Sequence, residues 1–144
     1  MTKFRESIRL KNYNYQNNGA YFVTICTALN KNLIAEKQKR ILEEELKTLE
    51  NRFDGVEIDY YTIMQNHVHI IFVFYNAAVR LPRVIQVFKS LSTRRLKKEG
   101  YMERVFWQRN YYEHIIRGKN TLNKIRMYIQ NNPLVEKLDP TKLY

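Results

Sequence analysis

Two apolar, β-branched segments lie next to each other in the chain and are separated by only two residues. The first, VEIDYYTIM, covers residues 56–64, and the second, HVHIIFVF, covers residues 67–74. Gln65 and Asn66 stand between them, a separation typical of a β-hairpin. The pattern therefore predicts an antiparallel strand pair in the middle of the chain, around which the rest of the sheet must form.

The other elements are predicted from hydrophobic spacing and turn signals. In chain order they are a strand (20–29), a helix (36–53), the hairpin (56–74), a second helix (81–100), a strand or bent strand pair (104–117) and a third helix (120–132). Pro82 suits the first turn of the second helix, and Pro133 ends the third. This order predicts an α+β fold of ferredoxin-like (RRM-like) type, an antiparallel sheet with packed helices.

The length of 144 residues predicts a single domain that can bury a core. No apolar run approaches the roughly 20 residues needed to span a bilayer, and the N-terminal residues lack an apolar signal core. The lone Cys26 excludes an internal disulfide and a cysteine-rich zinc site. These features predict a cytoplasmic protein without a membrane partner.

The net charge of +11 is concentrated in the second half of the chain. Residues 1–79 hold 10 Lys or Arg against 9 Asp or Glu, whereas residues 80–144 hold 15 against 5. This asymmetry favours a polyanionic partner, nucleic acid before membrane, over a surface that is merely solvated. The basic residues predicted to contact phosphates are Lys89, Arg94, Arg95, Lys97, Lys98, Arg109 and Arg117. Trp107, Tyr111 and Tyr112 lie among these charges and are candidates for base stacking, with core packing as the alternative.

His67 and His69 occupy alternate positions in one strand and are two of only three histidines. Residues i and i+2 of a strand point to the same side, with Cα atoms about 6.6 Å apart. Two neutral imidazoles at that spacing can bind one cation. The alternative is a pair of ordinary strand histidines with local hydrogen bonds, and the pattern names no metal. The opposite face of the strand is predicted to supply the core residues Val68, Ile70, Phe72 and Phe74.

Tyr128 and Asn132 are four residues apart at the end of the third predicted helix, and a helix would place them on one face. Since the chain has eleven tyrosines, this position alone is more typical of a core or surface tyrosine than of a catalytic one.

Three motifs in order, NHVHIIF, FWQRNYYEHIIR and YIQNNP, resemble those of the HUH single-tyrosine transposases. The similarity is closest to the REP-associated tyrosine transposases and related insertion-sequence transposases. The segments NYNYQNNGAYFVTICT and FKSLST fit the same pattern. The resemblance implies a transposase-type HUH nuclease domain over residues 1–144, with a core of about 9–133, and a fold similar to the one predicted from the pattern.

The resemblance also implies a divalent metal site. His67 and His69 would be the HUH ligands of Mg²⁺ or Mn²⁺. Asn132 would supply the third ligand from the tyrosine's helix, although Glu113 or His114 could also approach the site.

The activity that the resemblance implies is cutting and rejoining of single-stranded, hairpin-containing DNA, with Tyr128 as the nucleophile. The tyrosine would hold the 5′ side as a phosphotyrosine and release a free 3′-hydroxyl, which keeps the bond energy for rejoining without ATP. The insertion-sequence relatives imply a homodimer, and the REP-associated relatives also allow a monomer. The expected location is the bacterial cytoplasm, at the nucleoid when DNA is bound. The alternative is a domesticated or catalytically silent nucleic-acid-binding protein of the same fold.

Overall fold

A five-stranded antiparallel sheet carries helices on both of its faces. The computed structural model describes residues 4–6 and 18–131. Within them the strands are β1 (Phe4–Glu6), β2 (Gly19–Cys26), β3 (Val56–Ile63), β4 (His67–Phe74) and β5 (Tyr112–Ile116). The α-helices are α1 (Glu36–Arg52), α2 (Leu81–Lys98) and α3 (Lys119–Asn131). The strand order is β1-β5-β2-β4-β3, and every neighbouring pair is antiparallel. The predicted ferredoxin-like α+β fold is therefore confirmed.

The predicted hairpin between β3 and β4 is confirmed by its closing hydrogen bond. The backbone N–H of Met64 donates to the carbonyl of His67 at 2.8 Å, which closes the loop of Gln65 and Asn66. The N–H of Ile34, on the segment that leads into α1, donates to the carbonyl of Gln65 at 2.9 Å. These bonds hold the start of β4 against the rest of the fold.

The two faces of the sheet bury separate sets of side chains. The face under α1 and α2 carries the larger core, which includes the predicted residues Val68, Ile70, Phe72 and Phe74 of β4. The opposite face, which α3 covers, has a smaller buried cluster among the described residues: Phe22, Ile71, Ile116, Ile125 and Ile129. Because strand side chains alternate, the residues of β4 between the core positions, His67 and His69 among them, point to the α3 face.

The helices bury the apolar stripes that their spacing predicts. In α1 the buried residues of the stripe are Ile41, Leu42, Leu46 and Leu49, and in α2 Val84 and Phe88 are buried while Val87 is half-buried. Pro82 lies in the first turn of α2. None of the helices within residues 18–131 is long and apolar enough to cross a membrane.

The segment before β5 differs from its prediction as a strand. Only Tyr112–Ile116 forms a strand, whereas residues 104–111 cross the end of the sheet in irregular conformation. The N–H of Gln108 donates to the carbonyl of Cys26 at 2.8 Å, and Trp107 forms an isolated bridge with Thr27. Phe106, Trp107 and Tyr111 of this segment belong to the larger core without lying in a regular strand, whereas Val105 is exposed.

Candidate metal and nucleophile site

His67 and His69 form a compact pair on the α3 face of β4. Their ring centroids are 4.6 Å apart and the ring planes meet at 67°. Both side chains are buried, with 2% and 5% of the residue surface exposed. On the neighbouring strand β2, the register partners are Cys26 for His67 and Thr24 for His69. The prediction that the two histidines project together is confirmed.

Hydrogen bonds orient both imidazole rings. Nδ1 of His67 lies 2.6 Å from Oδ1 of Asn66, and the Nδ2 group of that amide donates to the carbonyl of Asn30 at 3.4 Å. Because an amide oxygen only accepts, Nδ1 of His67 carries the hydrogen and Nε2 has a lone pair. Nδ1 of His69 lies 2.9 Å from Oγ1 of Thr24. The contacts of Asn66 and Thr24 with the imidazoles were not predicted from the sequence, although Asn66 directly precedes His67 in the hairpin loop.

Burial keeps both histidines neutral. Loss of solvation lowers the pKa of His67 to about 4. Loss of solvation, and secondarily the charge of His67, lowers the pKa of His69 to about 3. A neutral imidazole is the form that binds a cation. Within the described part of the chain, Nε2 of His67 is buried and has no hydrogen-bond partner. The residues present therefore fit a metal ion bound through Nε2.

The third ligand is not found within residues 18–131, where no third His, Cys, Asp or Glu joins the histidine pair in a group that could hold a metal ion. Glu113 pairs with Val23 of the larger core and so lies on the face away from the histidines. His114 shares the face of His69, but β2 runs between their strands. Asn132, the predicted third ligand, lies outside the described residues.

Tyr128 lies on the helix that covers the histidine face. Its half-buried ring packs against the smaller cluster, which includes Phe22 of β2. The Phe22 ring centroid is in turn 5.3 Å from that of His69. The fold therefore brings the predicted nucleophile and the predicted metal ligands to one face of the sheet. Phe22 links the two, because it belongs to the cluster that Tyr128 packs against and its ring lies next to that of His69.

Three of the residues predicted to contact DNA make side-chain contacts within the fold. The Trp107 side chain is buried at 4% exposure and donates its indole N–H to Oγ of Ser92 at 3.0 Å, so its ring is not available to stack a base. The Lys89 ammonium donates to the carbonyls of residues 108, 109 and 110 at 2.8, 3.1 and 3.2 Å. Arg95 pairs with carboxylates of α1, at 2.7 Å from Glu44 and 3.2 Å from the buried Glu45.

Burial lowers the pKa of Lys89 and limits the exposure of the two other aromatic candidates, Tyr111 and Tyr112. Loss of solvation lowers the pKa of Lys89 to about 8, an effect that nearby Cys26 partly offsets. Tyr111 is buried in the larger core, with the Lys89 ammonium 5.7 Å from its ring centroid. Tyr112 is half-buried on the α3 face, where Thr24 is its register partner. Of these rings, only Tyr112 remains a candidate for base stacking.

The remaining predicted phosphate contacts are exposed. They are Arg94, Lys97, Lys98, Arg109 and Arg117. A surface groove of about 660 Å³ runs between the first half of α2 and the loop before β5, and its basic lining includes Arg109 together with Arg80 and Arg83. Arg80 and Arg83, which stand three residues apart at the start of α2, were not predicted from the sequence. A search for like charges at helical spacing would have found them.

The fold is shared with solved transposase structures. Over 88% of this chain and 73% of the other, the fold is similar to a REP-associated tyrosine transposase bound to a REP hairpin, with a TM-score of 0.73 and 18% identity. A candidate transposase from Deinococcus radiodurans matches over 86% of this chain and 96% of its own, with a TM-score of 0.60 and 18% identity.

Sequence comparison extends this likeness to the family. An uncharacterised Haemophilus influenzae protein is 32% identical over 165 aligned positions, which cover 94% of this chain and 91% of the relative. The family model of IS200-like transposases matches residues 15–132. The resemblance inferred from the motifs is thereby confirmed. The chain belongs to the IS200-like transposase family, whose members are enzymes that act on DNA.

Proposed function

We propose that this transposase cuts and rejoins single-stranded, hairpin-containing DNA through a covalent bond to Tyr128. The observation that carries the proposal is the position of α3, which places Tyr128 on the same sheet face as the buried, neutral pair of His67 and His69. Membership of the IS200-like transposase family supports it. So does the fold shared with a transposase that binds a REP hairpin.

The proposed step is a transfer of one phosphodiester bond. The Tyr128 oxygen attacks phosphorus, and the bond from phosphorus to the 3′ oxygen breaks. The tyrosine loses its proton, the released 3′ oxygen gains one, and the 5′ phosphate stays on the tyrosine. Attack by a 3′-hydroxyl reverses the step and restores both the phosphodiester and the tyrosine, so the bond energy is kept.

In this proposal His67 and His69 would bind the metal ion that contacts the scissile phosphate. Nε2 of each ring would bind a divalent Mg²⁺ or Mn²⁺, with Asn132 as the third ligand. When bound, such an ion polarises the phosphate and neutralises charge that develops on its oxygens. Asn66 and Thr24 keep the rings oriented through Nδ1.

The proposed DNA path joins the two faces around one end of the sheet. The exposed cations of α2 lie on the face opposite the histidines. Arg109 follows Gln108, which is hydrogen-bonded to Cys26, the register partner of His67. Arg109 is therefore near the end of the sheet at which the histidines lie. A strand or hairpin bound along α2 can reach the histidine pair past this residue, with phosphate contacts supplying most of its affinity.

The oligomeric state belongs to the same proposal. We expect a homodimer that works in the bacterial cytoplasm at the nucleoid, with a monomer as the alternative. The packing of α3 on the sheet of its own chain supports a site formed within one protomer. The second candidate function is a catalytically silent DNA-binding protein of the same fold, which the exposed cations alone would support.

The test is a covalent-capture experiment. Single-stranded hairpin DNA from both flanks of the gene is labelled at its 3′ end, incubated with protein and Mn²⁺, and run on a denaturing gel. A labelled band at protein size is expected. Tyr128→Phe and His67→Ala should abolish it, whereas the matched control Tyr60→Phe should retain it, because Tyr60 packs against the same cluster as Tyr128.

Two outcomes would overturn parts of the proposal. A band that survives in Tyr128→Phe means that another tyrosine is the nucleophile. DNA that binds tightly to the wild-type protein without any band, across both flanks, favours the silent DNA-binding function.

A further inference from the structure

An ion pair joins α3 to the edge strand β3. Nε of Arg126 donates to Oδ2 of Asp59 at 2.7 Å, and Nη2 donates to Oδ1 of the same carboxylate. Nη1 donates to Oδ1 of Asn123, one turn earlier in α3, at 3.1 Å. The Asp59 side chain is 17% exposed and that of Arg126 39%. Two parallel hydrogen bonds fix the orientation of a guanidinium as well as its distance, which a single contact does not.

A β-bulge in β3 presents Asp59 to the helix. Ile58 pairs with Phe72 and packs against the larger core, whereas Tyr60 pairs with Ile71 and packs against the smaller cluster. The register shifts between Ile58 and Tyr60, so Asp59 is the additional residue of the bulge. Two successive residues of β3 therefore face α3. Asp59 forms the ion pair and Tyr60 packs against the smaller cluster.

The apolar contact of α3 with the sheet is small. Within the described residues the helix buries only Ile125 and Ile129 fully, with Leu122 and Tyr128 half-buried. Because α3 buries fewer residues than α1 and α2, its rotation depends more on directional contacts such as the ion pair.

The ion pair and the tyrosine lie on opposite flanks of this stripe. At 3.6 residues per turn, Arg126 and Tyr128 point about 80° to either side of the line through Ile125 and Ile129. Arg126 is bound to β3, the edge of the sheet. The other flank, with Tyr128, then points away from that edge, towards the interior strands β4 and β2 that carry His69 and Phe22.

We propose that Arg126 and Asp59 are positioning residues, whose bidentate ion pair sets the rotation of α3 and thereby aims the Tyr128 hydroxyl at the histidine pair. This inference rests on the proposed role of Tyr128 as nucleophile. Neither residue touches the reacting atoms. Their contribution is to restrict the orientation of the Tyr128 side chain before its oxygen attacks the phosphate.

The first measurement concerns the reaction. Arg126→Met keeps the aliphatic stem and removes the ion pair, and we expect the single-turnover rate of covalent-band formation to fall by about tenfold or more, with DNA affinity changed by less than about twofold. Arg126→Lys keeps the charge without the two-pronged geometry and should give an intermediate rate. Lys124→Met is the matched control, since it removes an exposed cation from the same helix. It should react at the wild-type rate.

The second measurement reports on Tyr128 without DNA or metal. In protein labelled with 3-fluorotyrosine, the Tyr128 resonance is assigned by its loss in Tyr128→Phe. It should shift or broaden in Arg126→Met and stay unchanged in Lys124→Met. The same comparison by amide hydrogen exchange should show faster exchange in α3 of Arg126→Met alone.

The two measurements separate this inference from the proposed function. An unchanged resonance and an unchanged rate in Arg126→Met would overturn the positioning role. If the wild-type protein forms no covalent band but the Tyr128 resonance still moves in Arg126→Met, the ion pair does orient the helix and it is the nucleophile assignment that falls.

Discussion

Oγ1 of Thr24 lies 2.9 Å from Nδ1 of His69, across the strand pair β2 and β4. Both side chains are buried, so this hydroxyl is a fixed partner for the imidazole. Thr24→Val keeps the shape and removes the hydroxyl, and we expect Mn²⁺ affinity to fall about tenfold to a hundredfold, the usual effect of losing a group that orients a metal-bound histidine. Thr24→Ser should bind nearly as wild type. Calorimetric titration with Mn²⁺ measures the difference, and equal affinity in Thr24→Val would mean that the hydroxyl does not orient the ring.

The lowered pKa values of the histidine pair predict a pH-dependent stability. Unfolded histidine binds a proton near pH 6.5, whereas folded His67 and His69 do so at about 4 and about 3. The unfolded chain therefore binds more protons below pH 6.5, and the free energy of unfolding should decrease as the pH falls, by up to about 1.4 kcal/mol per pH unit for each histidine. Urea unfolding of chelator-treated protein between about pH 7 and pH 5 measures this slope. The double variant His67→Gln, His69→Gln should flatten it, and an equal slope would assign the effect to other groups.

The burial of Trp107 predicts a stability effect without a DNA effect. Trp107→Phe removes the hydrogen bond to Ser92 and part of the ring that packs against Phe88 and Phe106. We expect the free energy of unfolding to fall by about 1–3 kcal/mol, with single-stranded DNA affinity unchanged. Circular dichroism during urea unfolding and fluorescence anisotropy of labelled DNA check the two parts. A loss of DNA affinity in the folded variant would restore the base-stacking role.

Lys89 and Lys98 form a matched pair for separating structural from DNA-binding lysines. Lys89→Met leaves three loop carbonyls without their ammonium donor, so the free energy of unfolding should fall by about 1–3 kcal/mol while the salt dependence of DNA binding stays the same. Lys98→Met, at an exposed position, should leave stability unchanged and reduce the slope of log affinity against log salt by about 0.7. Affinities measured over a series of salt concentrations distinguish the two, and the reverse pattern would return Lys89 to the DNA interface.

Local patterns were sufficient to predict four of the five strands and the histidine face, whereas the edge strand β1 was not predicted. The two-residue loop at Gln65 and Asn66 and the period-two alternation of β4 are properties of neighbouring residues, and they correctly separated His67 and His69 from the core positions. Helical spacing did the same for α1 and α2.

These local patterns could not predict contacts between segments that are distant in the chain. Trp107 and Tyr111 lie in an aromatic, basic segment whose pattern fits a base-stacking surface as well as a core. Only the packing of α2 over them shows that they are core residues. Arg126 and Asp59 are 67 residues apart, and a one-residue bulge decides that they meet. Asn132 and residues 12–17 of the N-terminal motif lie outside the described residues, so their predicted roles stay predictions.

The separation of the two sheet faces has a consequence for how this protein can evolve. Alternate residues of β2 and β4 belong to different clusters, so substitutions at His67, His69 or Tyr128 leave the larger core under α1 and α2 untouched. A variant that loses the proposed activity through such substitutions therefore keeps a folded, basic protein, which can be selected for another function. The strands that carry the proposed site also carry the larger core, so the fold remains when the side chains of that site are replaced.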